Sequence, residues 1–241
     1  MAFQGFAHGD DYDAARPSYP VAAVEYLVER LEVTLRDHVL DLGAGSGIFT
    51  RQLRPFVGSI TAVDPSPSMI ETLLTRSPDV DARLGRDTAI PLDDASVAAV
   101  FAAQAFHWFD VEPALAEMHR VLVPGGGLGL IWNERDESVG WVADLGRAML
   151  WPERQPYVVG TDFSERIRRG PFTKIERRRF SHSQELDHEA LYRRVLTTSY
   201  ISLMEPAERE IVLHDVASVI EDQATPVVLP YVTDVYSARA E

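Results

Sequence analysis

The stretch His38-Val39-Leu40-Asp41-Leu42-Gly43-Ala44-Gly45-Ser46-Gly47 decides the fold. A short apolar run that stops abruptly at glycines reads as a buried strand entering a tight turn. Beyond the turn, Ile48 to Phe56 reads as a helix, Ser59-Ile60-Thr61-Ala62-Val63-Asp64 as a second strand and Ser68 to Arg76 as a second helix. Strand, glycine turn, helix, strand is a βαβ unit. Upstream, Val21, Val24, Leu27, Val28 and Leu31 fall on one 3.6-residue stripe, so Val21 to Glu32 reads as an amphipathic helix.

Working outward, the alternation continues with strands near Val80 to Leu84, Val97 to Ala103 and Gly127 to Trp132, and with a helix over Val111 to Val121. Strands alternating with helices predict a mostly parallel sheet covered on both faces. Right-handed crossovers then give a doubly wound α/β fold, Rossmann-like, with its ligand at the carboxyl ends of the strands. After Asn133 the pattern loosens. Glu134 to Gly170 reads as helix and loop, Phe172 to Ser183 as a strand, Glu189 to Glu221 as helices and Pro226 to Ala238 as a final strand. Two late strands separated by helical material predict an antiparallel edge and an inserted helical cap.

Length and composition bound the function. A chain of 241 residues suits one α/β domain, here divided into an N-terminal lid and helix (1–37), a core (38–133), and cap helices with the final strands (134–241). With no cysteine there is no disulfide, thiolate metal site or cysteine nucleophile, and no metal site is expected. A formal charge of −14 repels phosphate backbones and anionic lipid, so neither nucleic acid nor a membrane is expected as a partner. Without a signal-like start or an apolar run of membrane length, the expected location is the cytoplasm. The sequence carries no sign of oligomeric state.

The glycines at 43, 45 and 47 let a ligand approach main-chain amides with no Cβ in the way. Their spacing is G-x-G-x-G; the dinucleotide fingerprint needs a glycine where Ile48 stands. Asp64 closes the second strand beside that turn, where a carboxylate accepts both hydroxyls of a ribose. The competing role is a helix cap, for which Ser66 and Ser68 are also available.

Five stretches in order resemble class I S-adenosylmethionine-dependent methyltransferases, in particular the small-molecule group of ubiquinone/menaquinone-type and trans-aconitate-type enzymes. They are Tyr12 to Pro20, Val39 to Gly47, Ala62-Val63-Asp64-Pro65-Ser66, Gln104 to Asp110, and Glu117 to Gly126. The resemblance implies a seven-stranded sheet with an antiparallel last strand and S-adenosylmethionine as cofactor. It further implies that Gly43, Ala44, Gly45 and Gly47 line the amino-acid and sugar portions of the cofactor. Asp64 with Pro65 would take the ribose, Asp87 the adenine edge, and Gln104 with Ala105 the methionine moiety. At 86–88 the chain reads Arg-Asp-Thr, where the group usually has a small or acidic residue, Ala and Glu. Tyr12 and Arg16 look like the group's lid over the methionine end, where an arginine can pair bidentately with a carboxylate; an exposed loop arginine is the other reading.

Phe106 and Trp108 either flank the cationic sulfonium or pack the floor. His107, at a strand's carboxyl end, is the candidate catalytic residue, as proton acceptor from the substrate or as a group orienting the lid. From Arg147 to Arg179 nine basic residues stand against four acidic ones, an excess that suits a carboxylate substrate or a charged edge strand. The expected activity is methyl transfer from S-adenosylmethionine to a small-molecule acceptor. The rivals are an NAD-dependent Rossmann oxidoreductase, disfavoured by Ile48, and a scaffold of the same fold that binds the cofactor without methylating.

Overall fold

The computed structural model describes residues 16–150 and 161–241. Seven strands form one sheet: β1 (His38–Leu42), β2 (Ser59–Asp64), β3 (Asp81–Leu84), β4 (Val97–Ala103), β5 (Leu122–Arg135), β6 (Phe172–Leu186) and β7 (Val227–Ala240). Their spatial order is β3-β2-β1-β4-β5-β7-β6. β1 pairs in parallel with β2 and β4, β2 with β3, and β4 with β5. The order reverses between β1 and β4, and in open α/β sheets that switch point is where a ligand crevice opens.

β7 runs antiparallel to its neighbours. Its hydroxyl at Thr233 meets Asn133 of β5 and its Pro230 carbonyl accepts the amide of Asp136, just past β5, while Arg239 and Asp234 lie beside Thr173 and Arg177 of β6, so the numbering on either side runs the opposite way. The two late strands form the expected antiparallel edge; within it β7 is inserted between β5 and β6, and β6 is outermost. Chain order does not fix lateral order once a long helical excursion separates two strands. β5 also begins earlier than expected, at Leu122, with a register irregularity between Val97 and Ala99 that admits Pro124-Gly125-Gly126 into the extended run.

The described residues divide into two compact units. One comprises 18–133, 161–180 and 233–241, with helices α1 (Val21–Arg30), α2 (Ile48–Leu53), α3 (Pro67–Arg76), α4 (Val111–Val121) and α6 (Ser164–Ile167). Here α1 and α2 bury Leu27, Phe49 and Leu53 against Val39, Phe101 and Ile131 of the sheet, and Leu73 of α3 packs with Ala62 and Val80. Burying each such side chain stabilises the fold by about 1.5–3 kcal/mol.

The other unit comprises 16–17, 134–150 and 181–232, with α5 (Gly140–Ala148), α7 (His188–Leu196), α8 (Ser199–Ser202) and α9 (Pro206–Glu221). Val212, Val216 and Ile220 recur every four residues on α9 and meet Val142, Leu145, Leu191 and Val195. No described helix is long and apolar enough to cross a membrane.

Candidate functional site

The turn after β1 is held by its neighbour strand. The amides of Gly43 and Ala44 both donate to the Val63 carbonyl, at 2.8 and 3.1 Å. Gly43 has φ +73, and a Cβ there would lie 2.5 Å from that of Ala105, so the two segments touch through the missing side chain. Gly45 differs. Its φ is +55, but a Cβ built on it meets nothing within 4 Å. Of the turn's three glycines, only Gly45 borders open space. Gly47, also left-handed, is the N-cap of α2.

Asp64 clamps this turn. One carboxylate oxygen accepts the Gly45 amide at 2.8 Å and the other accepts the Ser66 amide at 2.8 Å. Ser66 performs the helix cap, accepting the Met69 amide at 3.4 Å, which frees Asp64 from that role. Burial raises its proton affinity and the Ser66 and Gly45 amides counter it. A carboxylate has about four acceptor positions, and two remain for a ligand diol. Pro65, beside it, is exposed.

Beneath the turn lies Asp41, fully buried in β1. Thr50 donates to its Oδ2 at 2.6 Å, while Oδ1 is buried without a partner among the described residues. Burial pushes this carboxyl up to about 7 against the Thr50 hydrogen bond, with a small push from Asp64. The sequence reading gave Asp41 no role, although an acid in a central parallel strand is a usable signal, because such a charge is costly without a purpose there.

At the end of β4, Gln104 adopts φ +53. Its side-chain amide exchanges two hydrogen bonds with the Asn133 backbone, donating at 3.1 Å and accepting at 2.8 Å. The side chain is thus committed to β5. Asn133, unassigned by sequence, is a hub: its side chain donates to the Ser18 carbonyl at 3.2 Å and accepts from Thr233 at 2.6 Å. The segment before α1 is pinned further by Gln52, which bonds both backbone groups of Tyr19 at 2.9 and 2.8 Å.

His107 sits on a 3₁₀ turn, Phe106–Trp108, with ring centroids 4.5 Å from Trp108 and 4.8 Å from Trp132. Burial, aided by the charge of Arg166, pushes its imidazole down to about 3, so it is neutral at physiological pH. Its Nδ1 is buried without a partner among the described residues. Phe106 is completely buried against Phe109 and Phe163, so it packs the floor, whereas Trp108 is 55% exposed. Asp87 accepts the Asp110 amide at 2.8 Å, tying the β3–β4 connection to the start of α4.

The structure therefore brings Gly43, Ala44, Gly45, Gly47, Asp64, Pro65, Gln104, Ala105 and His107 to the ends of β1, β2 and β4. Arg16 belongs to the helical unit, where its Nη2 donates to the Thr197 carbonyl at 2.9 Å. Tyr12 lies outside the described residues. In the basic stretch, Arg147, Arg168, Arg169, Arg177 and Arg179 each meet a carboxylate, Arg177 and Arg179 sharing Asp234.

Residues 40–130 match the family model of a methyltransferase domain. The chain is 35% identical to an uncharacterised methyltransferase-like protein of Schizosaccharomyces pombe over 96% of its own length and 93% of the relative's. It is 42% identical to an uncharacterised methyltransferase of Mycobacterium tuberculosis over 78% of its length and 74% of the relative's. A solved structure described as a type II methyltransferase of Anaeromyxobacter dehalogenans superposes with TM-score 0.68 at 26% identity, covering 93% of this chain and 97% of the other. With a glycine turn, a clamping carboxylate and a β3-β2-β1-β4-β5-β7-β6 sheet in place, these matches establish that the chain belongs to the methyltransferase-domain family on a class I fold.

Proposed function

We propose that the chain transfers a methyl group from S-adenosylmethionine to a small-molecule acceptor. The observation that carries the reading is the pairing of Gly45 with Asp64: a backbone turn open to a ligand at one residue, held by a carboxylate with acceptor capacity for a ribose diol. The unpaired Oδ1 of Asp41 supports it, as a buried acceptor beneath the same turn suits a cationic, amine-bearing ligand better than a pyrophosphate. Family membership points to the same cofactor.

When bound, the cofactor supplies a methyl group on a sulfonium that is already a good leaving group. The work of the protein is then orientation and exclusion of water, effects that reach about 7–11 kcal/mol when reacting atoms are held close. Gly43, Ala44, Gly45 and Gly47 shape the cradle, Asp64 fixes the sugar, and Gln104 fixes the β4 end by bonding Asn133. His107 acts as a neutral imidazole that hydrogen-bonds the acceptor. For it to take a proton, acceptor binding must raise its basicity well above the value burial imposes. The net charge of −14 weighs against a nucleic-acid acceptor.

Calorimetric titration with S-adenosylmethionine, S-adenosylhomocysteine and NADH tests the cofactor. Binding of the first two is expected; binding of NADH alone overturns the reading. Transfer of labelled methyl to small-molecule acceptors tests the reaction, and cofactor binding with turnover of an acceptor but no label incorporated would assign the fold a scaffold role.

A further inference from the structure

The short helix α6 carries a guanidinium that its own neighbourhood leaves without a counter-charge. Arg166 is half-buried, and among the described residues no carboxylate forms an ion pair with it. The acids on its own turn are committed elsewhere. Asp162 accepts the Ser164 amide at 2.9 Å and meets Arg177 at 3.6 Å, while Glu165 pairs with Arg168 at 2.6 Å. Arg166 rests instead on a ring, its Cζ 5.7 Å from the centroid of Phe163. Such a contact engages the flat face of a guanidinium and leaves its in-plane N–H donors for another group.

From Phe163 a run of rings leads to His107. Phe163 lies 4.8 Å from Trp132, and Trp132 lies 4.8 Å from the imidazole, edge to face. The charge of Arg166 is felt there: it adds to burial in holding His107 neutral. The imidazole Nδ1, sealed from water, has no partner among the described residues. The same aromatic cluster reaches the turn after β1. Phe106 is 5.7 Å from Phe163 and 5.8 Å from Phe109, whose ring stands 3.4 Å from the Cβ that Gly43 lacks. All of these residues belong to one compact unit.

A cation held partly out of water and a ring nitrogen left unpartnered are both costly, and both call for the same complement. An anionic oxygen accepts from the N–H edge of the guanidinium and from an imidazole that carries its proton on Nδ1. We propose that Arg166 and His107 together form a binding site for the carboxylate of a small molecule, at the aromatic end of the crevice that begins at Gly43. Resting on the function proposed above, that molecule is the methyl acceptor. One carboxylate neutralises one guanidinium beside a neutral ring, whereas a phosphate dianion leaves an excess negative charge half out of water, so the site favours carboxylates.

The test is a titration of the full-length chain with acetate, malonate, benzoate and inorganic phosphate, each against chloride at equal ionic strength. Two readouts are followed: thermal stabilisation, and the imidazole NMR resonance that disappears in His107→Asn. A saturable change in both with at least one carboxylate is expected, its midpoint at least about tenfold higher in Arg166→Gln and partly restored in Arg166→Lys. No carboxylate effect beyond chloride, an effect of phosphate alone, an unmoved His107 resonance, or an unchanged midpoint in Arg166→Gln overturns the proposal. The wild-type titration decides even if a variant fails to fold. S-adenosylhomocysteine binding, measured in parallel, is expected to be the same in wild type and Arg166→Gln. Its absence in both would refute the cofactor reading while leaving the carboxylate result standing.

Discussion

The Asp64 carboxylate accepts the Gly45 amide at 2.8 Å, so the acid that ends β2 fixes the one glycine of the β1 turn that borders open space. Two residues 19 positions apart thereby form a single device. The carboxylate sets the turn's shape, and the turn holds the carboxylate in place.

Gly43 and Gly45 should respond differently to alanine. Gly45→Ala places a non-glycine residue at positive φ, costing about 1–2 kcal/mol, yet meets no atom of the protein. Its main effect is expected on S-adenosylhomocysteine affinity, at least about tenfold weaker. Gly43→Ala adds a collision with Ala105 and should cost about 2–4 kcal/mol. Urea denaturation and calorimetry on both variants separate the two.

Asp64→Asn replaces two acceptor oxygens by one, so the amide of Gly45 or Ser66 faces an NH₂ group. A loss of about 1–3 kcal/mol in stability is expected, together with weaker cofactor binding. Asp64→Asn binding S-adenosylhomocysteine as tightly as wild type would remove the acid from the ligand site.

Asp41 makes stability depend on pH. Its folded value, about 7, lies above the ordinary carboxylate value, so between about pH 4 and 7 the folded state keeps a proton that the unfolded state loses. Stability should decline as pH rises through that window, by roughly 4 kcal/mol at most. Asp41→Asn, whose amide oxygen can still accept from Thr50, should flatten that slope in urea titrations from pH 4.5 to 8.

His107 has the opposite sign. Its folded value is depressed to about 3, so the unfolded state binds the proton more readily and stability is lost as pH falls below about 6.5. The advantage of wild type over His107→Asn should therefore shrink between pH 7 and 4.5. A pH–rate profile for methyl transfer with an inflection near 6–7 that vanishes in His107→Asn would instead mark a base whose proton affinity the acceptor restores.

Asn133→Ala removes the groups facing Ser18 and Thr233 and should cost about 2–3 kcal/mol. Its backbone bonds to Gln104 survive, so Gln104→Ala adds a separate loss. A double-mutant cycle reading less than about 0.5 kcal/mol of coupling would support that division.

Much of this was legible from residues in order. The apolar run stopping at Gly43 marks a buried strand, and the helix read over 111–121 has the observed limits of α4, because such patterns are local and unopposed there. The meeting of the glycine turn with the acid at 64 was legible for the same reason: a βαβ unit brings neighbouring strand ends together by short-range chemistry. Partners could not be read in this way. That Asp64 clamps Gly45, that Gln104 spends its side chain on Asn133, and that Asn133 joins Ser18 to Thr233 all depend on contacts between residues far apart in the chain.

What the sequence by itself determined was the alternating βα architecture and the chemistry of the turn, since side-chain periodicity and glycine placement act within a few residues. Only the tertiary structure decided that β7 enters between β5 and β6. It also decided that Asp41 and His107 lose their ordinary protonation behaviour. Lateral strand order and desolvation arise from packing between distant segments, and no local pattern encodes how deeply a given carboxyl or imidazole is removed from water.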